Sequence, residues 1–284
     1  HNKSGSSPRT LAPLQPTLKP VTFEFDRATE LAPLGSGRFG AKVHDGWDIG
    51  GAANGGYLLA LVSSALCHAT ERKLPVAISC HYLAPINDAE VVIETSLLKS
   101  GKSFATASAT MRQGERIILS ALGTCADSLP TNTRQLSTHQ PPNLPTFDQA
   151  TQRRETTAGQ PGLMKNVDIR LHPADTGFAV GAPSGQALVR GWCAFRDGRQ
   201  VDPLALTLFC DAFPPAVFNL SGAPGWVPTV QLSFYLRGIP DGQPVAGEFV
   251  TREIHHGLFE EDGSLWNAAG ELVAQSRQVA MLPR

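Results

Sequence analysis

The chain has 284 residues, enough for about two domains that each bury a core of their own. A formal net charge of −1 gives no electrostatic basis for nucleic acid or an anionic membrane as the main partner, and no apolar run reaches the roughly 18 residues that span a bilayer. No leader with a charged region, apolar core and cleavage site is expected at the N-terminus, and the five cysteines are odd in number and lack a Cys-x-x-Cys pair, which speaks against a disulfide framework or structural zinc and for the cytoplasm.

Residues 1–20, rich in Ser, Pro and Lys and without periodicity, read as a flexible tail, and residues 21–25 as a short strand. Gly35-Ser-Gly-Arg-Phe-Gly40 matches G-x-G-x-x-G, but a strand and not a helix follows it, so it reads as a turn leading into a strand. Asn54 reads as the N-cap of a helix from about Gly55 to His68 that is apolar on most faces. Glycines at a helix start let an oxyanion or a thioester carbonyl approach free N–H groups, or let the helix start pack closely on a sheet; both readings stand. Strands follow over residues 76–83, 90–99, 104–113 and 116–126, the last two a hairpin about Gly114.

Residues 128–165, dominated by Pro, Thr, Gln and Asn, read as a linker between a first domain over 21–127 and a second over 166–284. In the second domain strands are expected over 167–171 and 187–195, then a helix over 202–216. Asp202 is its N-cap and Pro203 its first residue. Leu204, Leu206, Leu208, Phe209, Ala212 and Phe213 make it apolar on nearly every side, until Pro214-Pro215 ends it or turns it into a second segment. Asp211 is the one carboxylate within this run. A buried unpaired charge costs several kcal/mol, so Asp211 needs partners, a raised pKa or a wet cleft; the alternative is an exposed or purely structural side chain. Strands then return over 229–236, 247–254, 257–266 and 271–281. Glu260 to Asp262, Asp197 and Asp202 read as caps and turn residues, and Trp47, Trp192, Trp226 and Trp266 as core or pocket wall.

The two halves can be laid over each other. Tyr82-Leu83 matches Tyr235-Leu236, Phe104 matches Phe259, and Gly114-Glu115 matches Gly270-Glu271, at offsets growing from 153 to 156 residues. Two copies of one unit follow, each a helix and then a four-strand meander, with the apolar face of the sheet covering the helix. This pattern resembles the hot-dog fold, and in tandem an α+β double hot-dog fold, two copies of a long helix wrapped by an antiparallel β-sheet. Gly50-Gly51, Asn54-Gly-Gly-Tyr57, His81-Tyr-Leu-Ala-Pro85 and Gly101-Lys-Ser-Phe104 in the first half carry a further resemblance. So do the Asp211 segment, Thr229-Val-Gln-Leu-Ser-Phe-Tyr235 and Leu272-Val-Ala-Gln-Ser-Arg-Gln278 in the second. Together they are similar to the TesB-like type II acyl-CoA thioesterase family, over about residues 35–126 and 165–283.

The resemblance implies a hydrolase that cleaves an acyl-CoA thioester with an activated water, with CoA as part of the substrate and no cofactor or metal. The family's Asp, Thr or Ser, and Gln fall on Asp211, Thr229 and Gln278. The residue types suit that chemistry, since a carboxylate in an apolar pocket gains basicity, while a hydroxyl and a carboxamide orient water. Asn54, Gly55 and Gly56 are expected to bind substrate, their amides facing the oxyanion. Ser233 is expected beside Thr229 on one strand face, four residues on. Gln278 shares a face with Ser276, but a register slip of one would bring in Gln275 or Arg277 instead. Cys210, Pro214-Pro215 and the long linker depart from the family pattern. A homodimer or higher oligomer is implied by analogy. Two rivals stay open: a non-catalytic acyl-CoA or lipid-binding hot-dog protein, and a hot-dog enoyl-CoA hydratase, which would want His172 or His81 near Asp211.

Overall fold

The computed structural model describes residues 22–131, 133–152, 161–222, 225 and 227–282. The first half holds α1 (Glu24–Ala28), β1 (Ala32–Gly35), β2 (Arg38–Val43), the short pair β3 (Asp48–Ile49) and β4 (Ala52–Ala53), and α2 (Gly55–Thr70). It continues with β5 (Leu74–Tyr82), β6 (Ala89–Ser100), β7 (Ala105–Gln113) and β8 (Arg116–Ala126). After β9 (Thr151–Gln152) come β10 (Val167–Leu171), β11 (Leu188–Phe195), α3 (Pro203–Phe209) and α4 (Phe218–Ser221). The chain closes with β12 (Thr229–Leu236), β13 (Val245–Val250), β14 (Ile254–His255), β15 (Leu258–Trp266) and β16 (Leu272–Met281).

Helix α2 forms where expected. The Asn54 side chain accepts from the Tyr57 N–H at 3.0 Å, and Glu71, in the left-handed region, ends the helix. Nearly every side chain from Gly56 to Leu66 is buried, because β5 to β8 wrap one side of the helix and α3 lies against the other. The two hydroxyls fully inside are both paired: Ser63 donates to the Leu59 carbonyl and Tyr57 to the Ala28 carbonyl. Helix α3 starts as expected on Asp202, whose carboxylate accepts from the Ala205 N–H at 2.7 Å, but it is shorter than the apolar pattern implied. It ends at Phe209, so Asp211 sits in the turn beyond its C-terminus and not on the helix.

Apart from β3 and β4, which pair only with each other, the strands form one antiparallel sheet in the order β1-β2-β6-β7-β8-β5-β12-β16-β15-β13-β11-β10-β9, with β14 pairing β15. From β2 to β5 and from β11 to β12 the topology is the same: first strand outermost, then third, fourth and fifth, and the strand after the helix at the centre. The halves join where β5 and β12 pair antiparallel, with Leu232 opposite Cys80 and Ser233 opposite Ser79. The repeat read from the sequence is therefore a repeat of strand order, and its two copies meet edge to edge in a single sheet.

Some local expectations change. Residues 21–25 were expected as a strand, but Glu24–Ala28 is a helical turn that buries Phe25 and Ala28 on one face; Val21 lies outside the described residues. Phe25 packs against Trp47 and Phe195, which a strand in that place would turn away. Gly35 to Gly37 form the turn between β1 and β2, all three with positive φ, and no helix follows. The strand expected over 247–254 runs from Val245 to Val250, because the Arg252 and Glu253 amides turn to donate to the Glu260 carboxylate. Described parts of the 128–165 segment contact the second half: the Pro145 carbonyl accepts from the Trp192 indole at 2.8 Å, and Thr151–Gln152 add an edge strand to β10. Trp47 and Trp266 are core, Trp192 is half-buried, and Trp226 lies outside the described residues.

Candidate active site

The start of α2 and the turn after α3 meet end to end, and glycine makes this possible. A Cβ on Gly56 would sit 2.5 Å from the Leu208 carbonyl oxygen, and one on Gly55 would sit 2.8 Å from Asp211 Oδ2. The close packing delivers α2's free N-terminal donors to Asp211. Its Oδ2 accepts from the Gly56 N–H at 2.9 Å and from Asn54 Nδ2 at 3.1 Å, while Asn54 Nδ2 also donates to the Asp211 carbonyl at 2.7 Å. A helix N-terminus favours a negative charge, and these amides satisfy a carboxylate that has little access to water. Burial nevertheless wins: it pushes the Asp211 pKa up to about 6, with the Gly56 and Gly55 amides and Asn54 offsetting part of the rise.

Thr229 and Gln278 stand beside Asp211 on the inner face of the sheet. Thr229 Oγ1 donates to Gln278 Oε1 at 2.9 Å. Gln278 is buried, as is Ser276, while Arg277 between them is exposed, so the inward set on β16 is the one the alternation implied. Behind Gln278 lies Glu261 on β15, 3% exposed. Its Oε1 accepts from Gln278 Nε2 at 2.8 Å and its Oε2 from the Ala216 N–H at 2.5 Å. Burial raises the Glu261 pKa to about 7, the Ala216 and Gln278 donors lower it, and the charge of Asp211 adds to the rise. Glu261 was expected as a turn residue. The signal that would have found it is the period-two pattern of β15, where Phe259, Gly263 and Leu265 face inward and Glu261 falls on the same side.

Ser233, expected on the face of Thr229, is on the opposite one. The β12–β16 pairing shifts between Thr229 and Gln231, and the extra residue inverts the alternation that a regular strand would keep. Ser233 Oγ accepts from Gln231 Nε2 at 2.8 Å on the outer face, away from Asp211. Asn54 and Gly56, expected to face an oxyanion, instead hold Asp211; the Gly55 carbonyl accepts from the Tyr82 hydroxyl at 2.7 Å. His81 is exposed on the outer side of β5, and His172 caps the short turn at Pro173, accepting from the Ala174 N–H. No described histidine lines the cavity with Asp211, which removes the pairing that the hydratase reading needs.

The cavity that these groups open onto has a volume of about 620 Å³. Its polar end holds Asp211, Thr229, Gln278 and Glu261, and its walls are apolar, among them Leu58, Met164, Phe213, Phe249 and Phe259. Leu163 and Met164 reach it from the short turn that closes the 128–165 segment. No lysine or arginine lines it among the described residues. An apolar pocket with a few convergent polar groups and carboxylates of raised pKa has the properties of a site for acid–base chemistry on an apolar ligand.

Fold and site together define a hot-dog protein with a carboxylate-centred cavity. A hot-dog-fold protein of Alicyclobacillus acidocaldarius superposes with a TM-score of 0.81 over 93% of this chain and 99% of its own, at 22% identity, a likeness of fold alone. The profile of the acyl-CoA thioesterase N-terminal domain matches residues 43–126 and that of the C-terminal domain residues 139–282. The chain belongs to the acyl-CoA thioesterase family and is a thioester hydrolase by class. It is also similar to a protein of Thermobifida fusca YX provisionally assigned as a thioesterase II, at 31% identity and a TM-score of 0.84, covering 92% of this chain and 98% of that one. An uncharacterised protein of Mycobacterium tuberculosis (strain ATCC 25618 / H37Rv) is 27% identical over 91% of this chain and 98% of its own length. The TesB-like type II resemblance is thereby borne out at the level of the family. Among the described residues no helix is long and apolar enough to cross a membrane.

Proposed function

We propose that the protein hydrolyses acyl-CoA thioesters whose acyl group is apolar and uncharged, with Asp211 as general base and Thr229 and Gln278 positioning the attacking water. The observation that carries this reading is a carboxylate held at the polar end of an apolar cavity beside a hydroxyl and a carboxamide. The thioester carbonyl enters beside Asp211 and the acyl chain lies along the apolar walls. A water donates one proton toward Asp211 and its other hydrogen bond toward Thr229, leaving a lone pair for the carbonyl carbon. Attack forms the C–O bond as the proton passes to Asp211. Collapse of the tetrahedral intermediate breaks the C–S bond, and the thiolate of CoA takes a proton, returning Asp211 to its ionised form. With a pKa of about 6, Asp211 is ionised above that value and is a stronger base than an ordinary carboxylate.

Substrate class follows from charge. Asp211 and Glu261 face the cavity without a basic residue on its described walls, so a second carboxylate on the acyl group would be repelled and desolvated without a partner. The reading includes the double hot-dog architecture, supported by the matching strand order of the halves. It includes a homodimer or higher homo-oligomer, by fold analogy. A cytoplasmic location is supported by five cysteines without a disulfide among them. The test is thiol release from acyl-CoAs of graded length, aromatic acyl-CoAs and dicarboxylic acyl-CoAs. Wild type should cleave the neutral apolar members best, and Asp211→Asn should lose about 10²- to 10⁴-fold. Binding without thiol release from any of them would turn the reading to a carrier or sensor of acyl-CoA.

A further inference from the structure

The two inward carboxylates of the cavity end are not equivalent. Asp211 meets the cavity directly, whereas Glu261 is engaged on both oxygens, by the Ala216 N–H and by Gln278 Nε2. A carboxylate only accepts hydrogen bonds, so as long as Glu261 is ionised the nitrogen end of the Gln278 carboxamide must face it. The carbonyl end then faces Thr229, which donates its single proton to it at 2.9 Å. A hydroxyl that has given its proton away presents only lone pairs to its other neighbours. If the carboxamide were reversed, its nitrogen would donate to Thr229, and the Thr229 proton would be free to bond Asp211 in place of a water.

We propose that Glu261 is a positioning residue of this site: it locks the Gln278 carboxamide in one orientation, and through it makes Thr229 an acceptor for the water that Asp211 activates. This rests on the hydrolase reading only in what it says about the water; the orientation itself is a property of the four side chains. The charges that bear on Glu261 are Asp211, from the turn after α3, and Glu260, from its own strand; the turn at Ala216 and β16 offer it neutral donors. Protonation of Glu261 supplies a donor where only an acceptor stood, and permits the reversed amide. The site then has two requirements for ionisation, at Asp211 and at Glu261, and activity should fall on the acid side more steeply than one group allows.

The test uses the full-length protein in three forms: wild type, Glu261→Gln, and the exchanged pair Glu261→Gln with Gln278→Glu. Glu261→Gln copies the protonated acid in shape and hydrogen-bonding capacity. It should lower kcat by about 10- to 100-fold with KM changed by less than about twofold, and flatten the acid limb toward a single ionisation. The exchanged pair puts an amide donor at 261 against a carboxylate at 278 that still accepts from Thr229. It should recover at least about tenfold of that loss when assayed above about pH 8, where the relocated charge leaves Asp211 ionised. A Glu261→Gln enzyme with wild-type kcat and acid limb, or an exchanged pair no better than Glu261→Gln, would overturn the proposal. A readout free of turnover separates this from the hydrolase reading: the side-chain ¹⁵N resonance of Gln278, assigned by its loss in Gln278→Glu. In wild type it should shift across about pH 5 to 9 with an inflection that Glu261→Gln abolishes. No shift in wild type refutes the locking of the amide, even if no acyl-CoA is cleaved and even if Glu261→Gln fails to fold. A shift with no thiol release sinks only the hydrolase reading.

Discussion

Asp211→Asn should make the protein more stable while it loses activity, and the gain should depend on pH in a direction the site dictates. Burial raises the Asp211 pKa from 3.8 to about 6. The folded state therefore binds this proton more tightly than the unfolded chain does, so the ionised carboxylate destabilises the fold at pH above about 6, and the penalty fades as pH falls toward 3.8. A shift of this size corresponds to about 3 kcal/mol at neutral pH and above, at about 1.4 kcal/mol per unit. Asparagine keeps a carbonyl oxygen for the Gly56 N–H and removes the charge, so it should recover a large part of that penalty. The assay is urea unfolding of both proteins at about pH 8 and about pH 4.5. The variant should be more stable by about 1–3 kcal/mol at the higher pH, with the gap closing at the lower one. A variant equal to or weaker than wild type at about pH 8 would refute the argument that Asp211 is held in place at a cost to the fold.

Two further predictions concern contacts at this site and a third concerns the opposite face of β12. Gly56→Ala places a methyl 2.5 Å from the Leu208 carbonyl, so the start of α2 must shift and its bond to Asp211 weaken. Denaturant unfolding should show a loss of about 2–4 kcal/mol, and the acid limb of kcat/KM should move to higher pH as Asp211 loses a donor. Thr229→Val removes the proton that Gln278 accepts; kcat should fall by about 10- to 100-fold, with a stability loss of about 1 kcal/mol in the same unfolding assay. Ser233→Ala acts on the outer face, so kcat and KM should match wild type, with stability changed by no more than about 1 kcal/mol; a loss of turnover would contradict the inverted face of β12.

What could be read in the sequence was periodic or repeated. The apolar run after Asn54 has a cap before it and no polar face, and α2 is wrapped as that implies. Tyr82 and Tyr235 mark strands that hold the same place in each half, though nothing local shows that these two strands pair with each other. The alternation of Ser276 and Gln278 is local and survived. What could not be read depends on a single extra residue or on distant chain. A β-bulge at Val230 leaves no periodic trace, yet it decides whether Ser233 or Thr229 faces the cavity. The length of α3 was overestimated because apolar residues continue past Phe209 into a turn that is just as buried as the helix. Glu261 stood between Glu260 and Asp262, and a run of three acids has the composition of an exposed turn; only the inward neighbours on β15 separate the middle one from its flanks.

The glycines at the start of α2 show why the duplication matters to the chemistry. Close packing and the supply of N–H donors are alternatives in the sequence, and the structure joins them: Gly55 and Gly56 are small so that Asp211 can approach, and what it approaches is their amides. These donors come from the first half, whereas Asp211, Thr229, Glu261 and Gln278 come from the second. The two sets are held together by the contact of α2 with α3 and by the central pairing of β5 with β12, which fixes Tyr82, and so the Gly55 carbonyl, against the strand that carries Thr229. A single copy would have either a helix N-terminus with no charge to hold or a carboxylate with no donors to hold it. The unsupported carboxylate would be driven to a still higher pKa and be neutral at the pH where a base is needed. The second copy thus supplies the carboxylate proposed as the base, and the first supplies the donors that favour its ionised form.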